Sequence, residues 1–327
     1  MYNLFRESPV TFKPSQIRLD RIERVIPLSP REKEILNLNF SIYEYPYQGP
    51  LIKKIAEKDK IKEDQISLGN GADGCLRKVF QSILKPNDVV LSSELTYAMY
   101  KIYTELNNAC YEEIKYTNYT ISNNTIIENI RKLKPKIVVL ANPDQPIGNY
   151  YDYLEILTEI KKYNGYLILD KAYDSFQKPF IDNNLIIINS FSKYFGLCGI
   201  RLGYLISSNS TIKLIDTYRG SYEVNSMALH FGINIIDNWT DMQWYQKQII
   251  QGSFILRTML INNNFKLIAS NQYFNTFFVD KNFNTIKKNL KNLGWLVKSY
   301  DKHSMIRVSS SDEITMNKFI LDFKKCL

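Results

Sequence analysis

A chain of 327 residues, 45% hydrophobic and 23% charged, has ample length for a sizeable core and reads as one large and one small domain. Its formal charge of +9 comes from dispersed residues and pairs such as Lys53-Lys54 and Lys324-Lys325, not from a basic block, so anionic small molecules account for it better than nucleic acid does. No apolar run approaches a membrane span, the start Met1-Tyr2-Asn3-Leu4-Phe5-Arg6 lacks the core of a secretion signal, and four scattered cysteines with two histidines, His230 and His303, offer neither disulfide nor zinc spacing; no metal and a reduced, cytoplasmic setting are expected.

The first thirty residues read as irregular, punctuated by Pro9, Pro14, Pro27 and Pro30. Pro30 suits the first turn of a helix through Arg31–Leu36. An aromatic loop, Tyr43–Pro50, precedes a short helix over Leu51–Lys60 whose apolar positions are Leu51, Ile52, Ile55 and Ala56. Ile66–Gly74 is a strand edge running into small residues, and 75–84 then has helical spacing. A glycine turn opening a helix offers free N–H groups and a positive dipole end, which suits phosphate; the same turn also serves as a plain cap built on Asp73. Asp88–Ser92 reads as a buried strand. A helix opens near Leu95, where Tyr97 is placed either to stack on a planar ring or to fill core.

Lys136–Leu140 is another apolar strand, ending in the rigid turn Asn142-Pro143-Asp144-Gln145-Pro146-Ile147-Gly148. A helix over Tyr151–Tyr163 follows. The strand Gly165–Leu169 then runs into Asp170, a carboxylate that needs a partner if buried. Ile186-Ile187-Ile188 begins one more buried strand, which turns polar at Ser190, Ser192 and Lys193, with Arg201 eight positions beyond the lysine. Two hydroxyls and a guanidinium suit a phosphate, and a lysine between them at a strand exit has the setting of a Schiff-base nucleophile. Together they suggest pyridoxal phosphate (PLP). Arg201–Ile206 is a further strand. Residues 210–265 read as helical, with a long amphipathic stretch over Trp239–Leu260. Strands at Phe274–Val279 and Met305–Ser309 with helices at Thr285–Leu293 and Thr315–Phe323 make a small α+β domain. The expected boundaries are 40–235 for a large, mostly parallel α/β domain, with 1–39 and 236–327 forming the small one.

The ordered set Gly71-Ala72-Asp73, Tyr97, Asn142–Gly148, Asp170-x-Ala172-Tyr173, Ser190-x-Ser192-Lys193 and Arg201 resembles the fold-type-I PLP aminotransferases, in particular the histidinol-phosphate aminotransferase group, over roughly residues 40–310. The resemblance implies roles. Lys193 is the Schiff-base lysine and proton carrier. Asp170 pairs with the pyridine nitrogen, so that the ring acts as an electron sink. Tyr173 and Gln145 contact the ring's phenolic oxygen, and Tyr97 stacks on the ring. Ala72 and Asp73 N–H groups, Ser190, Ser192 and Arg201 hold the phosphate. Tyr45 reaches the phosphate in a partner subunit, implying a homodimer with a shared active site. Arg307 forks onto the substrate carboxylate, and Lys298 stands where the group carries a second arginine for a distal phosphate.

The chain departs from the pattern in having Gln145-Pro146-Ile147-Gly148 for Asn-Pro-Thr-Gly and Lys171 for the glutamate after the aspartate. Lys171 and Lys298 read by default as solvated charges. Transamination between an amino acid and a small oxo acid is the first reading. Decarboxylation of a phosphorylated amino acid such as phosphothreonine or phosphoserine is the alternative. A DNA-binding regulator of the same fold is the third, with no room here for the extra DNA-binding domain such proteins carry.

Overall fold

The computed structural model describes residues 15–37, 39–174, 178–279 and 282–327; the starting segment with Pro9 and Pro14 lies outside them. In chain order the elements are β1 (Ile17–Leu19), α1 (Pro30–Ile35), α2 (Gly49–Asp59), β2 (Ile66–Asn70), α3 (Gly71–Ile83), β3 (Val89–Ser93), α4 (Met99–Leu106), β4 (Cys110–Ile114) and α5 (Asn123–Leu133). Then come β5 (Ile137–Ala141), α6 (Tyr153–Lys161), β6 (Tyr166–Asp170), β7 (Leu185–Ser190), α7 (Phe191–Tyr194), β8 (Leu202–Ile206), α8 (Asn209–Asp216), α9 (Ser226–Asp237) and α10 (Trp244–Asn262). The chain ends with β9 (Leu267–Ser270), β10 (Phe274–Phe278), α11 (Phe283–Asn292), β11 (Trp295–Tyr300), β12 (Met305–Ser309) and α12 (Glu313–Cys326).

Two compact units result. The larger runs from Leu28 to Tyr245, and the smaller joins the chain up to Pro27 to Gln246–Leu327. The division falls outside the expected 40 and 235 because Ile35, Leu36 and Met242 bury themselves in the large unit's core.

The large unit is built on a seven-stranded sheet in the order β2-β8-β7-β6-β5-β3-β4. β8 is antiparallel to both β2 and β7, and the remaining pairs are parallel. The inner strands are apolar throughout because helices cover both faces, and side chains alternate between them. Ile137, Val139, Ile168, Ile186 and Ile188 pack with Leu76, Val79 and Phe80 of α3 on one face. Val138, Leu140, Leu167, Leu169 and Ile187 pack with Ile126 and Ile130 of α5 and Ile156 and Ile160 of α6 on the other. Helix starts are fixed locally. Ser29 and Glu32 form a reciprocal capping box with Pro30 in the first turn of α1, and Ser122, Asp152, Ser208 and Asn225 each accept a first-turn N–H.

The small unit carries a five-stranded sheet in the order β1-β11-β12-β10-β9. Only the β1–β11 pair is parallel among these. Its core gathers Leu256, Met259 and Leu260 of α10, Leu290 of α11, Phe319 and Phe323 of α12, and Phe277, Trp295, Ile306 and Val308 of the sheet. Among the described residues no helix is long and apolar enough to cross a membrane.

Candidate active site

Every parallel strand of the large sheet, and β2 with them, ends at one edge, and β8 starts there. Open α/β sheets bind ligands at that edge. Sheet register sets the neighbours. Ala141 pairs with Asp170 and Asp170 with Ile188, while Ser190 pairs with Gly203 and Asn70 with Leu202. Backbone bonds continue the alignment past the strands, from Asn142 N–H to Asp170 O and from Lys171 N–H to Ile188 O. The residues following β2, β3, β5, β6 and β7, and Arg201 before β8, thus lie in one row.

At one end of the row is an anion cradle. α3 begins at Gly71, ahead of the 75–84 helix read from spacing, and its N-cap Asn70 makes no side-chain bond to the first turn. Ala72 and Asp73 present the orphan N–H donors of that turn. The approach is close. A Cβ on Gly71, whose φ is +71°, would lie 2.5 Å from Arg201 Nη2, and one on Gly203 would lie 2.5 Å from the Gly71 carbonyl carbon. Only glycine allows either. Arg201 takes a left-handed backbone (φ +55°) and anchors its Nη1 on Cys198 O at 3.2 Å, a strained pose of the sort found at ligand clamps. Ser190 Oγ caps α7 by accepting the Ser192 N–H at 3.1 Å, and both serines are buried.

Lys193 follows within α7 and is half-buried, its Nζ 3.9 Å from Cys198 Sγ. The neighbouring Phe191 and Phe195 are fully buried and hold the turn that carries it. Asp170, at the end of β6, is buried. Its Oδ1 accepts the Ala172 N–H at 3.0 Å and its Oδ2 accepts the Tyr100 hydroxyl at 2.8 Å. Burial holds the Asp170 carboxyl above the usual carboxylate range, the two hydrogen bonds opposing it. Such a group favours a cation beside it. Tyr97 Oη donates to Asp73 Oδ1 at 3.3 Å, and its ring meets Tyr100 edge-on, centroids 5.7 Å apart. One contact chain, Asp73–Tyr97–Tyr100–Asp170, therefore joins the cradle to the carboxylate. Tyr173 is half-buried in the turn stapled by Ala172.

The residues fit PLP. Helix-end amides, hydroxyls and an arginine suit its phosphate, the buried carboxylate suits its ring nitrogen, and an amine stands at the next strand end for its aldehyde.

Other expected residues fall differently. Gln145 is half-buried in a turn whose two X–Pro bonds are cis. Tyr45 is 77% exposed and stacks on Tyr222, centroids 4.1 Å apart. Lys171 is not solvated: its side chain is 12% exposed and Nζ lies 3.8 Å from Asp174 Oδ2, because β6 carries it onto covered ground. Arg307 and Lys298 belong to the small unit, where they are cross-strand partners on β12 and β11. Arg307 Nη2 donates to Asp20 O at 2.5 Å.

Two residues lie beyond the sequence reading. Tyr100, three residues past Tyr97, has the spacing of an ordinary core tyrosine, which hides its contact with Asp170. Asp144 is wholly buried, accepting the Tyr116 and Tyr151 hydroxyls at 2.6 and 2.7 Å and the Asn149 N–H at 2.7 Å, which fixes the turn around Gln145. Its partners come from distant positions that no local pattern marks. We expect Tyr100→Phe to remove the donor that holds the Asp170 pKa down and so raise it further. The acid limb of the pH–rate profile should move to higher pH, with a stability loss of about 1–3 kcal/mol in urea titration.

The sequence profile of the family described as aminotransferase class I and II matches residues 20–289. The histidinol-phosphate aminotransferase of Caldanaerobacter subterraneus subsp. tengcongensis is 28% identical over 95% of each chain. That of Christiangramia forsetii is 31% identical over 73% of this chain and 71% of its own. Among solved structures, histidinol-phosphate aminotransferase from Sinorhizobium meliloti, in complex with pyridoxal-5'-phosphate, superposes with a TM-score of 0.83 at 18% identity, covering 94% of this chain and 90% of its own. The Clostridium acetobutylicum enzyme gives 0.82 at 20% identity over 94% and 98%. With Lys193 and Asp170 at adjacent strand ends and the profile spanning most of its length, the chain belongs to the class I and II aminotransferases and is a PLP-dependent transaminase.

Proposed function

We propose that the enzyme moves an amino group between an amino acid and a small oxo partner bearing a phosphate or carboxylate, as a histidinol-phosphate-aminotransferase-like enzyme. The observation that carries this is the pairing of strand ends, Asp170 on β6 against Ile188 on β7 two residues before Ser190, which sets a buried carboxylate beside the serine–lysine turn. Bound there, PLP supplies an aldehyde that links amines covalently and a protonated ring that accepts an electron pair. The chain supplies the rest. Lys193 Nζ takes the proton from the substrate's α-carbon and returns it, a transfer worth about 10²–10⁴-fold. Asp170 holds a proton at the ring nitrogen. Tyr173 and Gln145 donate toward the ring oxygen, and Tyr97 covers one ring face. The cradle amides with Ser190, Ser192 and Arg201 anchor the phosphate.

Arg307 forks onto a substrate carboxylate, and Lys298, its cross-strand partner, adds a second positive charge for a distal anion. Ile42, Tyr43, Tyr45 and Tyr47 stand exposed along one loop, apolar surface of the sort a second copy covers. This supports a homodimer in which Tyr45 reaches the partner's phosphate. The setting proposed for this activity is the cytoplasm.

The test is a half-reaction. Protein loaded with PLP is given glutamate, histidinol phosphate, phosphoserine or phosphothreonine singly, without oxo acid. The cofactor spectrum and released carbon dioxide are followed together. Conversion of the cofactor to its amine form without gas is expected for at least one donor and names it. Carbon dioxide release with the cofactor returning unchanged would replace transamination by decarboxylation.

A further inference from the structure

Lys78 sits in the middle of α3 with its side chain 2% exposed. Lysine is almost never this buried unless paired. Its Nζ donates to Ser67 Oγ at 2.9 Å and Leu68 O at 2.5 Å, lies 3.0 Å from Glu223 Oε2 and 3.9 Å from Asp216 Oδ1. Ser67 Oγ in turn donates to Asp216 Oδ1 at 2.5 Å, and Asp216 also meets Arg219 at 3.7 Å. The cluster accounts for the burial of the lysine. It leaves a second matter, the position of Glu223. That side chain is 17% exposed, and its Oε1 lies 3.7 Å from the point a Cβ on Gly74 would occupy. A carboxylate is thus lodged against the first turn of α3, whose N–H groups form the anion cradle. An uncompensated negative charge there would oppose a phosphate at the helix N-terminus.

We propose that Lys78 and Glu223 form a buried charge pair behind the cradle, in which Lys78 neutralises Glu223 and so sets the affinity for the cofactor's phosphate. This rests on the reading of the first turn of α3 as the phosphate site. Neither residue touches the ligand; both act through the field at the helix end. Lys78 stands five residues past Asp73, about 7 Å along the axis at 1.5 Å per residue. Glu223, beside residue 74, is nearer the cradle, so its charge weighs more than that of Lys78. At an effective dielectric near 20, one charge about 10 Å from an anion changes its binding on the order of tenfold. Burial keeps salt from screening this away.

The electrostatic role predicts opposite signs. Full-length apoprotein carrying Glu223→Gln, Lys78→Met or both is titrated with PLP and, separately, with inorganic phosphate, alongside a thermal midpoint for each variant. Glu223→Gln should tighten phosphate binding by about tenfold, Lys78→Met should weaken it by roughly 3- to 10-fold, and the double variant should return to within about threefold of the parent. A packing role alone would weaken binding in both single variants in step with their midpoints, and that result would overturn the proposal. Should Lys78→Met fail to fold, the Glu223→Gln arm decides by itself, since equal or weaker phosphate binding there sinks the idea. A parent protein that binds neither PLP nor phosphate would instead remove the phosphate-site reading, and this inference with it. A parent that binds both while Glu223→Gln gains nothing removes the inference alone.

Discussion

Lys193→Ala should lower the rate of the amino-acid half-reaction by about 10⁴-fold or more while leaving the fold intact. The two effects separate because the turn that carries the lysine is anchored by other side chains. It is half-buried in a four-residue helical turn, and the anchors of that turn are the fully buried Phe191 and Phe195 on either side. Its Nζ lies 3.9 Å from Cys198 Sγ. With Phe191 and Phe195 in place, the loss of stability should be no more than about 1–2 kcal/mol. Phosphate affinity should also persist, because the cradle is made by the first turn of α3, Ser190, Ser192 and Arg201. The checks are stopped-flow turnover of the loaded protein, a urea titration and a phosphate titration of the apoprotein. A variant that turns over at the parent rate would remove Lys193 from the mechanism.

The parts of this site visible in the sequence are those whose signal is local. β5, β6 and β7 announce themselves because strands covered on both faces are apolar at every position, so a polar residue at their end stands out. Asp170, Ser190 and Lys193 are visible for that reason. Elements whose identity depends on distant neighbours were not. β4 reads Cys-Tyr-Glu-Glu-Ile, with Glu112 and Glu113 exposed at the sheet edge, and no apolar run marks it. β1, β9 and β11 are short or half-covered and exist only by pairing across the small sheet. Tyr97 was read as opening a helix, yet α4 starts at Met99. The tyrosine lies in the preceding turn because its hydroxyl reaches back to Asp73, 24 residues earlier. The covered state of Lys171, the Tyr45–Tyr222 stack and the Lys78–Glu223 pair are likewise products of tertiary packing. The position of Asp170 could be read from the strand; the hydroxyl that steadies it could not, since Tyr100 has the spacing of an ordinary core tyrosine.

Asp170→Asn should cost about 10³-fold in turnover and yet make the apoprotein more stable at neutral pH. Burial raises the Asp170 pKa in the folded protein. Between the unfolded carboxylate pKa and that raised value, the native state binds more protons than the unfolded one, so stability falls as pH climbs through this interval. Above it the parent carries a buried, ionised carboxylate that accepts from the Tyr100 hydroxyl and the Ala172 amide and has no ion pair among the described residues. Asparagine keeps the Ala172 bond through Oδ1 and turns its NH2 to the Tyr100 oxygen, which accepts it. The buried charge disappears; the Tyr100 O–H and the second amide N–H lose their acceptor, a cost smaller than that of an unpaired buried carboxylate. The gain in unfolding midpoint should accordingly be larger at pH 7 than at pH 4, where more of the parent carboxyl is protonated. PLP should reverse the order. A protonated ring nitrogen gives Asp170 the cation it lacks, so the parent gains more midpoint from saturating PLP than the variant does. Thermal scans of both proteins at the two pH values, with and without PLP, read all of this at once. A variant destabilised equally at both pH values, and stabilised by PLP as much as the parent, would reduce Asp170 to a residue that merely fills its place in the turn.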